Sequence, residues 1–552
     1  MSESTAGISR RTLISGAAFG LVALGGVGGL AGCSGGGTAA TISDRVAALP
    51  TYVPITKGPK PDLPGNDKVQ PVYYAYPEEG ELFRSVARDL TVGGTTTGFV
   101  VTYSAPPPAN NSFLDYIGEV TDTEYDLTFV PGDSFDTKFA TMTAGNDIPG
   151  IVEFLTFAMP PRFPQLLDAK FTDLSEYLSG DAVKEYPNLA NIPTPSWRSA
   201  RINGKIYGVP EHRPPFGSVM VCRPDLIEQL TGSAPAPKDK DEFFDMCKDV
   251  TDAKAGRYAI AGGGGAAGVD WSYDFIGATF GVPNQWTRTS GGELVHKNET
   301  DAWLETLSYV KKLWNAGVFH PDTPSLESAK AKTYINNGTV LMHLDGISAL
   351  LDQTMPKGIV TGGVVPFGAD GGAGVNYQGT SSFSFAALKK TTPDRVKAQL
   401  RLLDYLSAPF GSQEAFTLTH GKKNVHYTGS GPNASLTKVG EQMINASALY
   451  RLAAGPQVLN TAIRIDEQLR QSHAYQVATQ DMLLPNPVDG YYSPSASSTQ
   501  SASQAFNLLC NDYVLGRTNL AKVEAGVKTW TAAAGDKMRR EYTEAMEKQG
   551  EA

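Results

Sequence analysis

The sequence predicts an α/β protein of two lobes, each a mainly parallel sheet flanked by helices. Three observations carry this reading. Short apolar runs alternate with helical periodicities over residues 97–155, a pattern that lays helices on the faces of a parallel sheet. The same alternation restarts over residues 217–406 after extended chain. The 552 residues are also enough for two to four domains.

Each element has its own signal. In the first block, residues 97–104 (TGFVVTYS), 125–130 (YDLTFV) and 148–155 (IPGIVEFL) read as strands. Residues 111–118 read as a short helix. Over 135–144, Phe135, Phe139 and Met142 recur at helical spacing. The Pro/Gly-rich stretch 53–67 ahead of this block reads as an extended lead-in. In the second block, 217–222, 258–261, 339–344 and 362–365 read as strands. Residues 224–230 and 239–251 read as helices, the latter with Phe243, Phe244, Met246, Cys247 and Val250 on an apolar face. Over 299–316, Trp303, Leu307, Val310 and Trp314 make a helix that Gly317 ends. Residues 393–406 form a helix begun at Thr392, and the chain from 503 onward is mostly helical.

The N-terminus carries an address. Residues 9–37 read SRRTLISGAAFGLVALGGVGGLAGCSGGG. The uncharged run is long enough to span a bilayer. However, seven glycines lie within it, each costing about 1 kcal/mol in a helix. A positive start, apolar middle and small residues before a cut define a secretory signal. Arg10-Arg11 resembles the twin-arginine export signal. Leu30-Ala31-Gly32-Cys33 resembles the bacterial lipobox, which implies that Cys33 is lipidated and becomes the new N-terminus. Residues 1–33 are thus the signal with its lipidated cysteine, and 34–70 the tether and lead-in.

Composition narrows the function classes. A net charge of −10 without a Lys/Arg run disfavours nucleic acid. Cys222, Cys247 and Cys510 fit no zinc spacing, and the seven histidines show no paired spacing. Cys222 and Cys247 read as small buried hydrophobes, with a bridge between them left open. No calcium-loop run and no Gly-x-Ser-x-Gly elbow is present. The glycine run Gly262–Gly265 lacks the Lys-Ser/Thr of a phosphate loop.

Ordered landmarks carry a family resemblance. They begin with FVPGDSFDTKFATMTAGNDIPGIVEF, in which Asp147-Ile148-Pro149 replaces a simple Asp-Pro, then Asp173-Leu174-Ser175 with Tyr177-Leu178, Tyr186-Pro187-Asn188 and Trp197. The strand approach Ile202-Asn203-Gly204-Lys205-Ile206-Tyr207-Gly208-Val209-Pro210 follows, with Arg223-Pro224-Asp225, Phe280-Gly281 and Trp286. Gly516-Arg517, Trp530, Gly535-Asp536, Arg540 and Glu541-Tyr542 close the set. In this order they resemble the extracellular solute-binding proteins of carbohydrate ABC importers, with the type II periplasmic-binding fold. The long oligosaccharide- and alginate-binding subgroup is the most similar.

The resemblance implies a monomer whose lobes close on a sugar, without a cofactor, and deliver it to a membrane permease. It implies a first lobe of 42–212 with 385–450, a second of 213–380 with 451–552, and three crossings. It places the lipid-anchored chain on the extracytoplasmic face of the cell membrane.

Candidate ligand residues follow from sugar chemistry. Pyranose faces stack on aromatic rings, hydroxyls need planar donors and acceptors, and sites lie beyond strand ends and in clefts. Tyr103 and Asn111 lie at and beyond the first strand's end, with a surface turn as the alternative. Phe157 follows the third strand, where Phe154 reads as core. Glu211 and Arg213 flank the first crossing, with an interlobe ion pair as the alternative. Trp271, Tyr273 and Asp274 precede a helix behind the glycine run and form the leading candidate group; buried aromatics at a helix start are the alternative. Trp286, Asp345, Tyr377 and Tyr492 complete the set, with core or surface roles equally open. A competing reading is a surface-anchored polysaccharide hydrolase or lyase, because the 57 acidic residues permit a catalytic pair. A surface adhesion module is disfavoured by the lack of repeats.

Overall fold

The computed structural model describes residues 46–548, apart from 87–89, 103–106, 109, 161, 263–270, 352–357, 445–446 and 461–465. The signal, Cys33, most of the tether, Tyr103 and much of the glycine run therefore lie outside the described residues.

Nine strands build the two principal sheets. They are β1 (Thr95–Thr102), β2 (Glu124–Pro131), β3 (Ile151–Leu155), β4 (Gly208–His212), β5 (Ser218–Cys222), β6 (Tyr258–Ala261), β7 (Val340–Gly346), β8 (Gly362–Gly363) and β9 (Ser382–Leu388). The first sheet has the order β2-β1-β3-β9-β4, the second β8-β5-β7-β6.

Both sheets depart from an all-parallel pattern for one reason. β1, β2 and β3 run parallel, but β9 is antiparallel to β3 and β4. β5 is likewise antiparallel to β7 and β8, while β7 and β6 are parallel. β9 and β5 are the strands on which the chain enters a sheet from the other lobe. Such a strand starts where its neighbours end, so it must run the opposite way.

The strands of the first sheet are buried almost throughout, except the edge strand β2, which mostly alternates between exposed and half-buried positions. Phe99 and Val101 pack into one apolar cluster with Phe135, Phe154 and Phe385, while Val100 packs into the other with Phe113 and Trp197. This follows from the two-residue alternation of a strand, and explains why these runs read as continuous apolar sequence. In β5, Met220 and Cys222 face one cluster and Val219 and Val221 another. A further helical layer packs Trp286, Trp303, Phe506 and Trp530 together.

Helix ends follow their capping residues. Asn111 accepts from the backbone of Phe113 and Leu114 to start helix Ser112–Thr121. Asp239, Thr300 and Thr392 cap helices Lys240–Val250, Asp301–Asn315 and Pro393–Leu406 in the same way. Cys222, Cys247 and Cys510 are buried free thiols. Among the described residues no helix is long and apolar enough to cross a membrane.

The crossings lie side by side. Gly217 N–H donates to Tyr377 O at 3.1 Å, Gly379 N–H to Pro215 O at 3.0 Å, and Gln378 N–H to Leu484 O at 2.9 Å. A Cβ on Gly217 would meet the Tyr377 oxygen at 2.7 Å, and one on Gly379 the Phe216 oxygen at 2.9 Å. Only glycine lets these backbones approach so closely.

Candidate functional site

The carboxyl ends of β3 and β4 and the start of β9 meet at one place. Thr156, just past β3, anchors there: its N–H and hydroxyl both donate to Phe383 O, at 3.2 and 3.1 Å. The next residue is Phe157, which is 65% exposed. Its ring stands edge-on to Phe383, with centroids 5.4 Å apart. Phe157 is the most exposed of the large hydrophobic side chains among the described residues, so most of its ring is open to contact at these strand ends.

Beneath these rings lies a charge cluster. Glu211 is buried on β4 and holds two guanidiniums, Arg213 through Oε1 at 2.9 Å and Arg451 through Oε2 at 3.0 Å. The Ser384 hydroxyl donates to Glu211 Oε2 at 3.3 Å. Both guanidiniums lie over the Phe383 ring, 4.9 Å from the centroid for Arg213 and 4.2 Å for Arg451, a favourable cation–π geometry. Arg451 also lies over Tyr450, whose ring is 48% exposed.

A second carboxyl, Glu153 on β3, is buried and accepts the Val101 N–H at 2.8 Å. Burial pushes its pKa up to about 7; Arg451 opposes the rise and Glu211 adds to it. His212 shares a hydrogen bond with Ser196 Oγ at 2.8 Å. Burial, aided by Arg213, pushes its pKa down to about 4. Arg213 also keeps its Nε without a hydrogen-bond partner among the described residues.

In the second lobe, the end of β7 abuts the start of β5, with Asp345 opposite Val219 and Gly346 opposite Ser218. The Ser218 hydroxyl donates to Asp274 Oδ2 at 3.4 Å, and Asp345 pairs with Lys332 at 3.3 Å. Asp274 lies in the first turn of helix Tyr273–Thr279. Among the described residues no group of three or more His, Cys, Asp or Glu side chains could hold a metal ion.

The bacterial extracellular solute-binding protein family matches residues 101–409 of this chain, more than half its length. The chain belongs to that family. This solute-binding protein is 24% identical over 472 residues to the polygalacturonan/rhamnogalacturonan-binding protein YtcQ of Bacillus subtilis (strain 168), spanning 81% of this chain and 90% of YtcQ. Its fold is shared with an HMO-binding, ABC-transporter-associated solute-binding protein from Bifidobacterium longum infantis. The TM-score there is 0.61 at 13% identity, covering 83% of this chain and 100% of the other. The N-glycan transport solute-binding protein NgtS from Streptococcus pneumoniae gives a TM-score of 0.57 at 13% identity, covering 82% and 100%.

The sequence-predicted residues of this solute-binding protein fall into two groups. Phe157, Glu211 and Arg213 come together in the strand-end cluster. Asp345 lies at a strand end of the second lobe, and Asp274 in the first turn of helix Tyr273–Thr279, hydrogen-bonded to Ser218 at the start of β5. The others have structural partners. Asn111 caps its helix and donates to Met443 O at 3.0 Å. Trp271 is fully buried against Trp314 and Phe319, and its Nε1 donates to Asn511 at 2.9 Å. Its ring therefore has no open side for a ligand. Tyr273 packs on Trp303. Trp286 is buried against His296 and Tyr542. The Tyr377 hydroxyl donates to Val282 O at 2.7 Å from a buried position. Tyr492 packs against Phe163, with its hydroxyl oxygen 3.4 Å from the Phe163 N–H.

Sequence reasoning passed over Glu153, Phe383, Tyr450 and Arg451. Glu153 did carry a signal: it is a lone carboxylate within an apolar strand. Arg451 had none, because its partner Glu211 lies 240 residues away.

Proposed function

We propose that this protein captures an oligosaccharide between its lobes and delivers it to the permease of an ABC importer. The observation that carries this reading is the exposed Phe157 beside Phe383, with Arg213 and Arg451 at the same strand ends. Aromatic faces suit the C–H face of a pyranose. The partly exposed Arg213 guanidinium suits its hydroxyls, or a carboxylate held in fork geometry. The names of the relatives support the class, since they bind polygalacturonan and rhamnogalacturonan or transport N-glycans.

The division we propose is a first lobe of 42–212 with 385–453 and a second of 213–380 with 454–552; the packing of Leu452 and Ala453 with Val100 and Phe113 supports extending the first lobe that far. The chain works as a monomer, exported by Arg10-Arg11 and anchored outside the membrane through Cys33. A Cys33→Ser variant should leave the detergent phase on partitioning; retention there would remove the anchor from the proposal.

The role is binding without catalysis. Glu153 and Glu211 form a carboxyl pair of the kind a glycosidase uses, but both are sealed from solvent. The test is to add oligogalacturonides and neutral oligosaccharides, then follow melting temperature and products together. A melting shift that grows with ligand, shrinks in Arg213→Ala and leaves the sugar intact is expected. Cleaved sugar, or no shift with any glycan, would overturn the reading.

A further inference from the structure

Away from the strand-end cluster, a cavity of about 310 Å³ opens in the helical layer of the second lobe. Two indoles, Trp286 and Trp530, and the imidazole of His296 form part of its wall. The rings are held in place. Trp530 Nε1 donates to Ser503 Oγ at 3.1 Å, and His296 lies 4.4 Å from Trp530 and 4.8 Å from Trp286 between centroids. His296 Nδ1 accepts the Asn298 N–H at 3.2 Å. In the neutral ring the proton therefore sits on Nε2, which becomes a donor.

The polar part of the wall is unused. The side-chain amides of Gln285, Asn298 and Asn507 and the hydroxyl of Tyr542 line this cavity. None has a hydrogen-bond partner among the described residues. Asn298 as a residue is only 6% exposed, and its amide opens to this cavity. Four unpaired planar or hydroxyl groups around one space, beside two indoles, make a wall that complements a polyhydroxylated ring. The volume lies within the range of small-molecule sites. Lys297 lines the cavity, and no carboxylate does.

We propose that this cavity is a second saccharide site, which holds one pyranose ring as a free monosaccharide or as the end of a glycan chain. It sits next to the crossings, since Asn284, one residue before Gln285, donates to both Gln378 O and Leu484 O at 2.8 and 2.9 Å. It does not depend on where the longer ligand binds.

The test titrates D-galactose and D-galacturonate into the mature full-length protein, with saturation-transfer NMR and tryptophan fluorescence as readouts. At least one sugar should bind saturably to wild type and equally to Arg213→Ala. Asn507 is exposed on helix Gln500–Val514, so Asn507→Trp should plug the mouth and abolish binding without entering the core. Asn298→Ala should weaken it at least tenfold. The melting shift given by oligogalacturonides should survive in Asn507→Trp. No binding of either sugar to wild type, binding that persists in Asn507→Trp, or loss in Arg213→Ala would each overturn the second site. Loss of the oligosaccharide shift alone, with monosaccharide binding intact, would instead remove the interlobe reading.

Discussion

Phe157 and Glu153 lie four residues apart and illustrate opposite uses of a side chain. Phe157 contributes little to the fold, because most of its ring faces water. Phe157→Ala should leave the melting temperature within about 1 °C. It should weaken glycan binding by roughly 1.5–3 kcal/mol, about 10- to 100-fold, the worth of burying a Phe ring. Calorimetric titration checks this; unchanged affinity would remove Phe157 from the site. Glu153 is buried and reports through pH. Its folded pKa, about 7, lies above its ordinary value of 4.5. The folded state therefore holds the proton more tightly than the unfolded chain, and this contribution is complete below about 4.5. It is lost as pH rises to 7. Asp404, also pushed up to about 7 by burial, acts in the same direction. His212 and His420, both pushed down to about 4, act in the opposite one. Wild-type stability therefore sums opposing terms, and His296, pushed well below its ordinary value by burial, adds to the histidine side. Glu153→Gln removes one of them, so its melting temperature relative to wild type should climb between pH 4.5 and 7 and level off above. A constant difference would mean that Glu153 does not titrate there.

At the scale of the element, local chemistry was legible and long-range placement was not. The expected spans 135–144, 258–261 and 393–406 coincide with helix Phe135–Ala144, strand β6 and helix Pro393–Leu406. Each is specified by its own periodicity and its own cap or breaker. The ligand residues are not specified in that way. Trp271 ahead of a helix looks the same in sequence whether it faces a cleft or a core, and Asn511, 240 residues on, fixes it in the core. Phe383 and Arg451 join the cluster only because β9 returns beside β3 and β4. Asn111 shows the local side of this. Its side chain accepts two N–H groups at the start of helix Ser112–Thr121 and ties that helix to Met443 O. Asn111→Ala should cost about 1 kcal/mol from the cap alone, up to about 2, and more through the lost tie. The denaturant midpoint should fall while glycan affinity holds. Lost affinity at unchanged stability would give Asn111 the ligand role instead.

For the whole molecule, the decisive feature is that the chain passes between the two sheets at crossings joined by backbone hydrogen bonds. Gly217 and Gly379 let these backbones approach closely, and the buried rings of Phe216 and Tyr377 pack beside them. Such joints suit hinge motion, in which a few terminal residues absorb the change in backbone angle. Arg451 reaches the buried Glu211 at 3.0 Å, and the same carboxylate holds Arg213, the guanidinium proposed to meet the ligand. A glycan that takes up the unused donors of Arg213 would favour the conformation in which both lobes touch it, and the shift is limited by its differential affinity for that state. Small-angle X-ray scattering should therefore show the radius of gyration falling as a binding oligosaccharide is added, saturating with the melting shift. Arg213→Ala should follow the same curve at higher sugar concentration, since it removes contact with the ligand and leaves the crossings in place. An affinity that drops with no change in radius of gyration for wild type would mean that the lobes are already closed before the sugar arrives, and that the cluster acts as a fixed surface.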